Sequence, residues 1–599
     1  MGFLERIGSD YAYLTGIVRA ISKITDVAKH PNRTYPQVVR RLAETYGDKV
    51  ALISERETMS YRQYDRRGDQ YGRWAMTHGV MKGDVVALMM PNRPEFLAAW
   101  LGITRAGGVV ALLNTNLSGT ALAHCVNIVR PKHVIVDATL IGSFRTAEPH
   151  LSAGPDFWCH GGSPEGYERL DTRLDAFPGD PIPDTDLPRL TTEDKCLYVY
   201  TSGTTGLPKA ANINHYRVQG IMAGFRGAMK MRPEDRTYVC LPMYHTSGGV
   251  LGPGAALTAG ASVVLRERFS ASLFWDDIVK HDCTVFVYIG ELCRYLLNSP
   301  PHPAETMHRI RLACGNGLRP DIWADFQKRF HIPKVLEWYA ATEGNCVFLN
   351  FDGKIGAVGR IPKWIERKFF VEIVRFDIDT EQPVRGPDGL AVKCSPGEVG
   401  EAISKILNDP KRPSQRFEGY ADPGATETKI LRDAFEKGDT WFRTGDLMRK
   451  DERGYFYFVD RIGDTFRWKG ENVATSEVSE AITAFPGVKE ANVYGVRVPG
   501  AEGRVGMAAL VAGKDMELDG LSRHMARRLA AYARPNFLRM MPEIDSTTTF
   551  KHRKIDLVRQ GFDPSVTDDP IFFLHPELQT YVRLTPSLYG DICEGKVRL

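Results

Sequence analysis

Short apolar, β-branched runs recur through the first half of the chain and alternate with helical spacing. Val85-Val86-Ala87-Leu88-Met89, Val109-Val110-Ala111-Leu112-Leu113 and His133-Val134-Ile135-Val136 read as buried strands. Residues Pro94–Arg105 follow a helical pattern and read as a helix between them. After a break the alternation resumes with Leu197-Tyr198-Val199-Tyr200, Ala261-Ser262-Val263-Val264-Leu265 and Thr284-Val285-Phe286-Val287-Tyr288. Strand–helix alternation over this length predicts an α/β fold with parallel sheets. The break, residues 154–194, is dense in Pro, Gly and Asp and predicts a surface connection. Beyond Gly356 strands dominate, most clearly at 369–376 and 455–459, and predict a β-rich subdomain. From about Ile462 the pattern turns to short α+β. The expected organisation is a large N-terminal domain over 1–461 and a small α+β C-terminal domain over 462–599.

At the N-terminus, residues 3–29 mix Leu, Ile, Tyr and Val with Lys and Arg, and Ile17, Ala20, Ile21 and Ile24 fall at helical spacing. A helix lying on a membrane and a helix docked on its own domain both satisfy that pattern. No apolar stretch reaches the length of a membrane span. The first residues lack a basic region followed by an apolar run, so no secretory signal is expected.

A chain of 599 residues exceeds what one hydrophobic core spans, in keeping with two or more domains. The net charge of +4 is nearly balanced, which argues against nucleic-acid binding. Ten cysteines are scattered with no C-x-x-C pair, so zinc and thioredoxin-like readings are poor and a reducing, cytoplasmic compartment fits.

The strongest local signal is Tyr200-Thr201-Ser202-Gly203-Thr204-Thr205-Gly206-Leu207-Pro208-Lys209, directly after an apolar strand. Glycines permit a tight backbone path whose N–H groups point at phosphate oxygens; the hydroxyls add donors and Lys209 adds charge. It is not a Walker A loop, because the lysine does not follow the second glycine and Pro208 interrupts the helix start that motif needs.

This loop resembles the phosphate loop of the adenylate-forming superfamily of acyl-CoA synthetases, luciferases and adenylation domains, and four further motifs follow in that family's order. Cys314-Gly315-Asn316-Gly317-Leu318 resembles the loop that packs on adenine. Tyr339-Ala340-Ala341-Thr342-Glu343-Gly344 is similar to the strand-end motif whose Thr touches phosphate and whose Glu holds magnesium; Tyr339 would offer a flat face to adenine. Trp441-Phe442-Arg443-Thr444-Gly445-Asp446 resembles the motif whose Asp binds the ribose hydroxyls. Asp460-Arg461 resembles the start of the hinge, with Arg461 near the ribose and Gly463 as pivot. His245 stands where the family places a residue beside the substrate carboxylate. The resemblance implies ATP, magnesium and coenzyme A as ligands and a mobile C-terminal domain.

The chemistry suits these residues. A carboxylate is a poor nucleophile and pyrophosphate a highly charged leaving group, so positioning and charge cancellation carry most of the catalysis. Magnesium takes oxygen ligands and substrate phosphates, with Glu343 the natural protein ligand. Near the C-terminus, Phe550-Lys551-His552-Arg553-Lys554 matches the segment whose lysine reaches the adenylation site; Lys551 aligns with it, and Lys554 is the alternative register because Phe550 replaces the usual Gly.

Gly463-Asp464-Thr465-Phe466-Arg467-Trp468-Lys469-Gly470-Glu471-Asn472-Val473-Ala474-Thr475 resembles the signature of the fatty acid transport protein and very-long-chain acyl-CoA synthetase branch. Tyr288-Ile289-Gly290-Glu291 and Gly315-Asn316-Gly317-Leu318-Arg319-Pro320 match the same branch. It implies a long or very long fatty acid as substrate, with Trp468, Lys469 and Gly470 facing the site during thioester formation, in a cytoplasmic protein that works free or peripherally at the inner face of a membrane. Two alternatives are a fatty acid uptake protein and a ligase that passes its acyl group to a carrier protein.

Overall fold

The apolar runs fold as two large, mainly parallel sheets in the computed structural model. It describes residues 3–201, 207–378, 380–409, 412–469, 471–501, 503–513, 516–544, 554–597 and 599. The chain divides into two compact units, one of residues 1–370, 404–432 and 439–442, the other of 371–403, 433–438 and 443–599.

In the first unit one sheet runs Glu168–Arg169, Asp156–His160, His133–Asp137, Val85–Met89, Val109–Leu112, Lys195–Thr201, Lys209–Asn214. All its pairs are parallel except the last, which closes as a hairpin. The second sheet runs Val347–Asn350, Val335–Ala340, Leu312–Asn316, Val285–Ile289, Arg236–Val239, Ser262–Leu265, Val50–Ile53, Thr58–Ser60. Strands such as Val285–Ile289 read as continuous apolar runs because helices cover both faces of a parallel sheet. Helix Pro94–Arg105 has its predicted bounds and is buried along its whole length, with Trp100 stacked on Tyr35 at 4.8 Å.

The expectation for 154–194 needs correction. Asp156–His160 is an inner strand of the first sheet with Trp158, Cys159 and His160 buried, and helix Leu170–Asp175 follows it. Its two flanks carry the Pro and Gly, which masked a five-residue run that is apolar only at its centre.

Helix Phe3–Ala28 docks on its own unit through Tyr13, Ile17, Ala20 and Val27, alongside helix His215–Ala228. Among the described residues no helix is long and apolar enough to cross a membrane.

In the second unit the predicted strands at 369–376 and 455–459 are Val371–Asp377 and Tyr455–Arg461, in one β-sheet with Val399–Lys405 and Thr440–Lys450. A separate core begins at Phe466 and runs to Ile592. It fills a five-stranded sheet, Val488–Val496, Val505–Ala512, Phe537–Met540, Ile571–Leu574, Tyr581–Arg583, with helices Thr475–Thr483 and Leu518–Arg528.

Candidate active site

In the first unit the sequence-predicted residues gather at strand ends. The expected phosphate loop lies between the two strands of the terminal hairpin, with Thr201 and Lys209 paired across it. Residues Ser202, Gly203, Thr204, Thr205 and Gly206 lie outside the described residues. A strand, Lys209–Asn214, follows, where a Walker A loop would be followed by a helix.

The expected adenine loop leaves the strand Leu312–Asn316, and the Tyr339-to-Gly344 motif leaves Val335–Ala340, its parallel neighbour. Ligands of open α/β sheets bind off such carboxyl ends. Gly315 pairs with Glu337, Gly317 follows with φ +81°, and the Oδ1 of Asn316 is buried with no hydrogen-bond partner among the described residues. Tyr339 stacks on Phe348 at 5.5 Å, which fixes the plane of its ring.

Beyond Ala340, the hydroxyl of Thr342 lies 3.3 Å from that of Thr246, next to His245. Glu343 is buried, and its Oε1 accepts a hydrogen bond from Tyr420 at 2.6 Å. The Lys209 ammonium sits 5.7 Å from the Tyr420 ring centroid. Burial raises the Tyr420 hydroxyl's pKa, and the neighbouring Glu343 charge adds to it, so Tyr420 stays a donor. These contacts form one chain from the phosphate hairpin through Tyr420, Glu343 and Thr342 to the His245 segment.

That segment is held rigidly. Asn92 Nδ2 donates to the carbonyls of Leu241 (2.8 Å) and Arg266 (3.0 Å), and its Oδ1 accepts from the N–H of Met243 (2.8 Å). A Cβ at Gly249 would lie 1.9 Å from the Met243 carbonyl oxygen, so this glycine serves close backbone packing behind His245.

Glu337, which the sequence reading passed over, supports the expected adenine loop from behind. Its Oε1 accepts the N–H groups of Gly317 and of Leu318 (3.2 Å), and its Oε2 meets the Tyr288 hydroxyl. Burial pushes its carboxyl up to about 8, against the downward pull of those three hydrogen bonds. At neutral pH Glu337 is therefore mostly a neutral acid. An acid residue within an apolar strand was the one available signal. For Tyr420 and Asn92 the sequence carried none.

In the second unit Asp446 is buried and pairs in register with Arg461, whose Nε lies 3.7 Å from Asp446 Oδ1. Asp460 accepts the Thr475 N–H at 2.6 Å, tying the segment after Arg461 to the start of helix Thr475–Thr483. Gly463 has φ +90°. Trp468 is buried in the hairpin with Glu471, and the Lys469 ammonium lies 5.6 Å from the Trp468 ring centroid. Gly470 and Lys551 lie outside the described residues. Lys554, the alternative to Lys551, donates to Thr475 Oγ1 at 2.7 Å and pairs with Asp464 at 3.4 Å.

Among the described residues no three His, Cys, Asp or Glu side chains gather as a metal cage. Glu343 with the Thr246 and Thr342 hydroxyls forms instead a sparse set of hard oxygen donors. Such a set suits magnesium, which binds through one or two carboxylates and completes its shell with water and phosphate oxygens.

The comparison with known families gives the class, that of AMP-binding, adenylate-forming enzymes. The chain belongs to the AMP-binding enzyme family, which matches residues 39–403, and the AMP-binding enzyme C-terminal domain matches residues 477–551. Within it the chain falls in the fatty acid transport protein branch. It is 42% identical over 556 residues to long-chain fatty acid transport protein 6 of Mus musculus, covering 92% of this chain and 89% of that one. It is 39% identical over 604 residues to long-chain fatty acid transport protein 2 of Rattus norvegicus, covering 98% and 96%. Among solved structures, ATP-bound MatB from Rhodopseudomonas palustris shares the fold, with TM-score 0.70, 24% identity, and 88% and 98% of the two chains covered.

Proposed function

We propose that the protein is an AMP-forming fatty acyl-CoA synthetase acting on long or very long chains. In the first half-reaction a fatty acid carboxylate oxygen bonds to the α-phosphorus of ATP, the bond to the bridging oxygen breaks, and pyrophosphate leaves. In the second, the sulfur of coenzyme A bonds to the acyl carbon of the adenylate, AMP leaves, and the thiol proton passes to solvent.

The observation that carries the reading is the contact chain from Lys209 through Tyr420 and Glu343 to Thr342, Thr246 and His245. It strings phosphate-type donors, a metal-binding carboxylate and a carboxylate-positioning segment together in the order the first step uses them. Lys209 and the hydroxyls of the phosphate loop bind the β- and γ-phosphates. Magnesium, when bound, would neutralise phosphate charge; Glu343 would hold it, and the Thr342 hydroxyl would touch phosphate. Tyr420 holds Glu343 in one rotamer. The buried Oδ1 of Asn316 would accept the exocyclic amine of adenine. Asp446 accepts the ribose hydroxyls, with Arg461 beside it. Lys551 serves the first step, the loop of Trp468, Lys469 and Gly470 the second, and the region from Ile462 rotates about Gly463 between them.

The names of the relatives favour the long-chain substrate and also an uptake role, which follows physically if thioester formation traps the acid. Because long acyl chains partition into bilayers, the enzyme would meet its substrate at the inner face of a membrane.

The test is turnover of a fatty-acid panel with ATP and coenzyme A, following AMP and acyl-CoA by mass spectrometry. Each buried methylene contributes about 0.8 kcal/mol, so long saturated or monounsaturated acids should exceed acetate by orders of magnitude. A preference for acetate or an aromatic acid would refute the substrate assignment.

A further inference from the structure

Helix Phe3–Ala28 has two apolar faces, and docking uses only one. Tyr13, Ile17, Ala20 and Val27 are buried, whereas Ile7, Tyr11, Leu14, Val18 and Ile21 stand 44–69% exposed. At 100° per residue these five fall within an arc of about 80° and run roughly 21 Å along the helix. Thr25 shares the arc, and no charged residue lies within it; Asp10 and Ser22 fall about 20° beyond its two edges. Isolated exposed apolar side chains are ordinary, but a continuous stripe of five on one helix marks a binding surface.

The surroundings of the stripe say what it binds. Tyr13 meets the ring of Trp364 edge-on, with centroids 6.4 Å apart, and Asp10 pairs with Arg360 at 2.7 Å. These contacts fix residues 360–368 beside the helix. There Trp364 is 54% exposed, flanked by the exposed side chains of Lys363, Arg367 and Lys368, and Arg6 is exposed on the helix itself. An exposed Trp beside an apolar helix, with three basic side chains and one acid, Glu366, around it, is the composition of a membrane interface, whose headgroups are negative on the cytoplasmic leaflet. A protein partner fits less well, since lysine is depleted at protein interfaces.

We infer that the outer stripe of helix Phe3–Ala28, together with Trp364 and its basic neighbours, is a docking surface for an anionic lipid bilayer. It rests on the reading that the enzyme works at a membrane, and goes further by naming the surface and the charge of its lipid. The helix lies in the interface plane with its inner face held by the protein, so the orientation of the whole first unit on the bilayer is set by a rigid contact. An exposed apolar stripe combined with basic charge gives reversible, composition-sensitive binding.

The experiment is co-sedimentation of the full chain with vesicles of phosphatidylcholine alone or with roughly a third phosphatidylserine, without ATP or fatty acid. Wild type should bind the anionic vesicles and dissociate as salt is raised. The double variant Leu14→Asp, Val18→Asp, at exposed positions, should lose at least about tenfold in partitioning. Lys363→Ala with Arg367→Ala and Lys368→Ala should remove the salt-sensitive part. Both variants should keep wild-type AMP formation from a long-chain acid dispersed in detergent without vesicles. Absence of binding to either vesicle, or variants that bind as wild type does, would overturn the inference. So would a wild-type dimer that the Leu14→Asp, Val18→Asp change makes monomeric, because the stripe would then belong to a second copy. A chain that bound vesicles yet formed no acyl-adenylate would sink the proposed activity and leave this surface standing.

Discussion

Replacing Glu337 by leucine would leave two backbone N–H groups, of Gly317 and Leu318, and the Tyr288 hydroxyl without their acceptor. Each buried group so orphaned costs about 1–3 kcal/mol, so the three together cost the loop on the order of 3–9 kcal/mol of support. If that loop packs on adenine, the loss falls on nucleotide binding: KM for ATP should rise by about tenfold or more, with KM for the fatty acid little changed. Glu337→Gln separates shape from charge. Its Oε1 can still accept both N–H groups, and its NH₂ can donate to the Tyr288 oxygen in place of the bond that this hydroxyl donates to Glu337 Oε2, so ATP binding should stay within about threefold of wild type. The pH profile supplies a second readout. The folded carboxyl is raised to about 8 from an ordinary value near 4.5, so its contribution is fully present below the unfolded value and is lost as pH rises through 8. KM for ATP in wild type should therefore climb as pH passes 8, while the glutamine variant stays flat. The assay is initial-rate pyrophosphate release at fixed fatty acid across pH 6–9 (about the range spanning that value). A glutamine variant as damaged as the leucine variant, or one that keeps the wild-type pH dependence, would refute the reasoning.

Glu343→Ala should cut adenylation by roughly 10²–10³, and Tyr420→Phe should raise the magnesium concentration needed for half-maximal rate, by about tenfold, since it frees the Glu343 rotamer; a metal titration of pyrophosphate release checks both. Lys551→Ala should lose adenylation yet convert supplied acyl-AMP and coenzyme A to product, whereas Gly463→Ala should slow the second step, because φ +90° suits glycine and not alanine; single-turnover assays of each half-reaction decide, and equal loss of both steps in a folded Lys551→Ala protein would count against the division. Glu95 is buried, which by itself would raise its pKa, but hydrogen bonds from His160 and Tyr71 and the charge of Arg67 bring it down to about 2. Its contribution, on the order of 3 kcal/mol, is present above the unfolded value near 4.5 and lost as pH falls toward 2, so Glu95→Gln should flatten the acid limb of a thermal-stability profile.

Much of the fold lay in the chain itself. The strands at Val85–Met89, Val109–Leu112 and Val285–Ile289 and the helix Pro94–Arg105 could be read from periodicity, because a buried parallel strand is a continuous apolar run and a helix keeps its own spacing. The candidate site was legible as motifs, since phosphate loops and strand-end carboxylates are local chemistry, for which neighbouring residues supply the backbone geometry. Only the tertiary structure brought Tyr420 to Glu343 across 77 residues, Asn92 to Leu241 across 149, and Glu337 to the Gly317 loop. It also grouped the β-rich residues 371–403 and 443–461 with the C-terminal segment in one compact unit. On helix Phe3–Ala28 it decided which of two apolar faces is buried. A residue's own neighbours fix which bonds its side chain can make. Which groups meet it from elsewhere in the chain depends on how sheets and helices stack, and no local pattern carries that.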